Sequence, residues 1–149
     1  MVSKTAGAAA NLTIPAPGHI AGRMILTMLQ IALGGAIGAV LRYLTGLAML
    51  RLMGLGGFPI GTLAVNIIGS FLMGVFVVYA TSRSAGAWQP FVMTGVLGGF
   101  TTFSAFSLET VTLLERGAIG QAGLYVALCV AASILALMLG AAMARGLWV

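Results

Sequence analysis

Residues 98–106 read GGFTTFSAF: two glycines, two threonines, a serine and three phenylalanines in nine positions. Glycine disfavours a helix by ~1 kcal/mol relative to alanine, and threonine also ranks poorly. Yet the stretch lies near the middle of an apolar run covering about residues 89–113. Two readings of it stay open on the residues alone. In the first, the helix breaks at Gly98, Gly99, Thr101 and Thr102, exposing backbone carbonyls at membrane depth. Such carbonyls are tolerated only where protein, ion or water satisfies them, and they are a known means of holding a monovalent cation. In the second, glycine merely softens a continuous helix and the phenylalanines fill a core.

The surrounding chain decides the fold class. Of its 149 residues 60% are hydrophobic and only 6% are charged, against about 25% charged in soluble domains. So few charges cannot cover a soluble fold, and the sequence reads as an integral membrane protein. Four apolar stretches, about 24–50, 59–80, 89–113 and 118–144, each approach or exceed the ~20 residues needed to cross a bilayer as a helix. Connectors such as RLMGLGGFP (51–59) and SRSAGAW (82–88) supply turn residues. Strict alternation of polar and apolar residues, the mark of a membrane barrel, is absent. The fold class is therefore all-α, with four transmembrane helices in a membrane domain over 23–149. Residues 1–22, with Pro15 and Pro17 and no apolar leader, read as a mobile N-terminal extension that carries an NLT triplet at 11–13 and the lone His19.

The seven basic residues, Lys4, Arg23, Arg42, Arg51, Arg83, Arg116 and Arg145, are scattered. They form no cluster that would track nucleic-acid phosphates, and they punctuate the span ends instead. With the N-terminus inside, four of them fall inside and three outside, almost no positive-inside bias. Such a chain is expected to insert both ways, and two opposed copies to pair as an inverted-topology dimer. Glycine supplies the packing signal. Gly34 with Gly38 and Gly95 with Gly99 form GxxxG pairs, and Gly61, Gly69 and Gly74 line the second span. Small residues let helix backbones approach closely in lipid.

Polar residues within the spans are costly there, so function is sought among them. Thr62, Asn66 and Ser70 recur every four residues in the second span, as do Gln121, Tyr125, Cys129 and Ser133 in the fourth. Each stripe occupies one helical face. Either stripe alone serves equally as interhelical glue or as pathway lining, and two together favour lining. Phe103 and Phe106 share a face with Ser107 and Thr110, and Glu109 follows near the end of the third span, where it reaches the interface or meets an arginine. Cys129 is the single cysteine, which excludes an internal disulfide and any multi-cysteine metal site. No catalytic triad, histidine–cysteine metal cluster, phosphate loop or carboxylate pair is written into the spans, so catalysis is not expected.

Three blocks, GGAIGAVLRY (34–43), GTLAVNIIGSFLMG (61–74) and TGVLGGFTTFSAFSLET (94–110), together resemble the Fluc (CrcB) fluoride channels over residues about 24–145. The resemblance implies an antiparallel, dual-topology homodimer in a bacterial inner membrane, with two fluoride pores. It also implies a third helix broken at its centre, where the backbone carbonyls of Gly98 and Thr101 hold a structural sodium ion shared by the two subunits. Phe103 and Phe106 map onto the family's pore phenylalanines, Asn66 onto its pore-facing asparagine and Glu109 onto its third-span glutamate. Tyr125, Cys129 and Ser133 map onto its fourth-span polar track, although a hydroxyl is expected at position 129 and a thiol is a weaker donor. The function implied is passive efflux of fluoride, which lowers its toxicity.

The chemistry suits a small anion. Fluoride is strongly hydrated, and burying it uncompensated is expensive. The Asn66 amide and the hydroxyls of Thr102, Ser104, Ser107, Tyr125 and Ser133 offer replacement donors, and phenylalanine rings present a positive edge. Arg42 either draws anions into a vestibule or serves packing. One competing reading is a dual-topology exporter of cationic drugs, which relies on a glutamate in the first span; residues 24–50 hold no acid. The other is a structural membrane subunit without transport of its own.

Overall fold

The computed structural model describes residues 17–54 and 57–148. Residues 1–16, and with them most of the expected extension, Lys4 and the NLT triplet, lie outside the described residues. Helix α1 spans Pro17–Met53 and so starts ahead of Arg23. Helix α2 covers Ile60–Ser82. A 3-10 turn at Gly86–Trp88 leads into a π-helical segment, Pro90–Leu97, continued by the single turn of α3, Gly98–Phe100. Helices α4 (Phe103–Glu115) and α5 (Ile119–Trp148) complete the described chain. Among the described residues, four segments are long and apolar enough to cross a membrane: Ala21–Met53, Ile60–Ser82, Gly86–Glu115 and Ile119–Trp148. At 1.5 Å per residue the shortest, with 23 residues, reaches about 34 Å, enough for a hydrocarbon core of ~30 Å.

The distribution of side chains is that of a protein in lipid. Buried positions are rich in small residues, among them Ala80, Ala122, Ala136, Ala141 and Ala144, while Leu26, Leu33, Leu108, Leu139 and many like them point outward. Lipid solvates leucine as well as a core does, so burial is left to residues that let backbones touch. The two GxxxG pairs face each other. A Cβ on Gly34 would come within 2.9 Å of the Gly95 Cα, and one on Gly99 within 2.7 Å of the Gly35 carbonyl oxygen. This seats α1 against the third span. Helices α2 and α5 pack through Gly74 against Leu137 and Ala141, and through Gly140 against Phe71 and Val75. Asn66 lies near Cys129, Gly74 meets Leu137 and Ala141, and Tyr79 meets Trp148, so contacts advance together along α2 and α5 and the two helices run in the same direction.

The turn between α4 and α5 is fixed by local chemistry. Gly117 takes φ +74°; its N–H donates to the Leu114 carbonyl at 2.9 Å, and the Ala118 N–H to the Leu113 carbonyl at 2.9 Å. This is the Schellman pattern of a helix C-terminus, which favours glycine because the left-handed conformation is strained for other residues. The short reversal brings α5 back along α4, and the buried cluster of Phe106, Leu113, Ala122, Tyr125 and Cys129 forms between them.

Candidate functional site

Between α3 and α4 two residues leave helical geometry. Thr101 has φ −76° and ψ 156°, and Thr102 has φ −151° and ψ 122°, both extended. Gly98 itself is helical, at φ −66° and ψ −37°, so the extended pair falls on the threonines and not on the glycines. Thr102 then caps α4, its hydroxyl accepting from the Ala105 N–H at 3.2 Å. An N-cap threonine satisfies one of the amides that a helix start leaves free.

Asn66 reaches this point from α2. Its Oδ1 accepts from the Thr102 N–H at 2.9 Å, and its Nδ2 donates to the Thr102 carbonyl at 3.1 Å. The same Nδ2 lies 3.7 Å from the Cys129 Sγ. The amide orientation follows from this pairing, since an N–H needs an oxygen opposite and a carbonyl needs an N–H.

A cavity of about 390 Å³ opens beside the extended pair, lined by Asn66, Ser70, Thr102, Phe103, Phe106 and Ser133, with Cys129 in its wall. No charged side chain lines it. The Ser133 Oγ is buried without a hydrogen-bond partner among the described residues. Phe106 is 9% exposed and Phe103 78%; their ring centroids are 5.3 Å apart, inclined at 52°. Phe103 thus stands at the open side of the cavity and Phe106 at its inner wall.

One turn along the bundle lies a second polar group. Thr62 donates to Glu109 Oε1 at 2.9 Å, and Tyr125 donates to Glu109 Oε2 at 2.6 Å. Glu109 therefore neither extends to the interface nor pairs with an arginine. It is held between the two polar stripes. Arg42 and Glu109 share the walls of a separate cavity of about 300 Å³ with Thr62 and Phe58.

The structure gathers Asn66, Thr102, Phe103, Phe106, Cys129 and Ser133 around one space and sets Glu109 and three further residues apart from it. Tyr125 is fully buried, its hydroxyl committed to Glu109. Ser107 turns its hydroxyl back to the Phe103 carbonyl at 2.9 Å. Arg42 sits in the neighbouring cavity. Thr101, the first of the extended pair, also borders the cavity, and Gly98 lies in the helical turn before it. What residue-level reading did not foresee is the meeting of the stripes. Thr62 and Tyr125 join at Glu109, and Asn66 and Cys129 join beside Thr102. The signal lay in the common spacing of four along two helices that run the same way.

A family model described as CrcB-like protein, Camphor Resistance (CrcB), matches residues 29–141. A protein of Ruegeria sp. (strain TM1040), named fluoride-specific ion channel FluC, is 63% identical over 123 residues, covering 83% of this chain and 98% of that protein. A protein of the same name from Roseobacter denitrificans is 58% identical, covering 82% of this chain and 98% of its own length. One from Agrobacterium fabrum, again so named, is 48% identical over 126 residues, 83% of this chain and its full length.

Proposed function

The chain belongs to the CrcB family, and from that premise we propose that it is a fluoride-selective channel through which fluoride leaves the cytoplasm passively. It is a multi-pass membrane protein and not an enzyme. The observation that carries the reading is the cavity lined by uncharged donors and two phenylalanines beside the extended threonines. An anion entering it loses water and needs donors in return. One Asn66 N–H is committed to the Thr102 carbonyl, while the other rests against sulfur, a weak acceptor. That second N–H and the idle Ser133 hydroxyl are the donors an anion would claim. The edges of Phe103 and Phe106 add positive potential without fixed charge, and weak sites in series permit exit as well as entry.

Phe103, so largely exposed, fits a pathway wall completed by a second, antiparallel copy in the bacterial inner membrane. The third span is read as broken at Thr101 and Thr102, where a sodium ion would be held by the carbonyls of Gly98 and Thr101. The residues fit such an ion. In a continuous helix those carbonyls would accept from the N–H groups of Thr102 and Ala105, and both N–H groups are instead engaged by side chains. Sodium there would supply a fixed positive charge beside the pathway.

The test is efflux from fluoride-loaded liposomes containing the purified chain, followed with a fluoride electrode. Rapid release of fluoride, with chloride retained, is expected. Absence of fluoride release overturns the reading. A preparation made throughout with an organic cation in place of sodium is expected to lose dimer and flux together; unchanged assembly and flux would remove sodium from the proposal.

A further inference from the structure

We propose that Asn66 is a positioning residue whose side-chain amide holds the third span open at Thr102 and so sets the placement of Phe103 and Phe106. The inference deepens the channel reading, but its evidence is geometric. Every polar atom of Thr102 is engaged. Its N–H donates to Asn66 Oδ1 at 2.9 Å, and its carbonyl accepts from Asn66 Nδ2 at 3.1 Å. Its hydroxyl accepts from the Ala105 N–H at 3.2 Å and lies 3.2 Å from the Ser104 hydroxyl. One side-chain amide thereby satisfies both backbone groups of one extended residue, as the edge of a neighbouring strand would.

The consequence is a choice between two closures. Left to itself, the Thr102 N–H would return to the Gly98 carbonyl and continue the helix. Thr102 is only 8% exposed, so water is a poor substitute partner for an extended backbone at this depth. Asn66 removes that penalty for the extended state alone. The helical alternative would leave the asparagine's own amide without its two partners. The residue one turn away on α2 completes the seat: a Cβ on Gly69 would collide with the Thr101 Cγ2 and come within 3.0 Å of the Phe100 ring. Asn66 binds the break and Gly69 admits it.

The chemistry required is narrow. Aspartate at 66 would still accept from the Thr102 N–H, but an ionised carboxylate has no hydrogen for the carbonyl. Serine is too short to span both groups. Because Thr102 is the N-cap of α4, its position also sets where that helix begins and where its first-turn side chain Phe103 points.

The experiment places 4-fluorophenylalanine at position 103 or 106 of the full chain in liposomes. The fluorine NMR signal and fluoride efflux are then recorded for the wild type, Asn66→Ala and Asn66→Asp. Asn66→Ala is expected to shift or broaden both ring signals and to lower efflux by roughly tenfold, the order of effect of lost buried hydrogen bonds. Asn66→Asp keeps half of the clamp and is expected to move the ring signals less. Ser70→Ala, in the same cavity but outside the clamp, is expected to leave them in place. Ring signals of Asn66→Ala that coincide with wild type would overturn the proposal even if efflux falls, since Asn66 would then act only as an anion ligand. Should Asn66→Ala fail to assemble, unmoved ring signals in Asn66→Asp would overturn it equally. A labelled wild type that passes no fluoride would defeat the channel reading and leave the ring shifts to decide the clamp.

Discussion

Phe106 is the residue at which packing and pathway meet. Its ring lies 5.5 Å from that of Tyr125 and 5.3 Å from that of Phe103, and the side chain lines the cavity beside Thr102. Phe106→Ile keeps apolar bulk and removes the aromatic quadrupole. The expected outcome is a dimer that elutes normally and a fluoride efflux lowered by about tenfold, the order of a lost aromatic contact. Unchanged efflux would reduce the ring to core filler. Cys129 illustrates a different balance. A hydroxyl at that position would compete for the second Asn66 N–H, whereas sulfur at 3.7 Å holds it loosely. Glu109 carries the cost of a carboxylate among helices because Thr62 and Tyr125 each engage one of its oxygens.

Elements are joined here by glycine contacts at backbone range, and these are the bundle's least forgiving points. Gly34→Val would drive a side chain into the Phe91 carbonyl and the Gly95 Cα. Overpacking of this kind costs about 1–3 kcal/mol, and backbone atoms cannot move aside as a side-chain tip can. Lowered thermal stability in detergent, with loss of monodisperse protein, is therefore expected. Gly123→Ala meets nothing within 4 Å and is expected to behave as wild type. If both variants unfolded alike, the facing GxxxG pairs would not be what seats α1. The π-helical segment Pro90–Leu97 lies in this contact, at Gly95. Its residues read in sequence as ordinary helix, since the almost uniformly apolar PFVMTGVL carries no polar period by which the two helix types could be told apart.

The whole molecule carries little information about its own orientation. Arg23, Arg83 and Arg145 lie toward one end of the bundle, and Arg51 and Arg116 toward the other, with Arg42 beside Glu109 on that second side. Reporter fusions at either terminus are expected to register on both sides of the membrane in comparable amounts. Two added lysines beyond α5 are expected to bias one orientation and to lower fluoride efflux by depleting the opposed partner. A strong single orientation of the native chain would argue against an antiparallel dimer.

Composition and the length of the apolar runs were enough for the membrane setting, the helical class and four helices able to span a bilayer. Lipid demands long apolar runs and self-satisfied backbones, and a linear pattern records both. The polar side chains were legible for the same reason: their cost in lipid makes each one conspicuous. Their partners were not. Spacing tells which face a side chain occupies, but the neighbour opposite that face depends on how the helices pair. Only the tertiary structure brought Asn66 to the Thr102 backbone, and Thr62 and Tyr125 to Glu109. It also confined the extended geometry to the two threonines of that stretch and left Gly98 helical. Gly98 stays helical, at φ −66° and ψ −37°, continuing the segment before it. Thr102 leaves the helix where an amide from α2 satisfies the backbone groups that extension sets free.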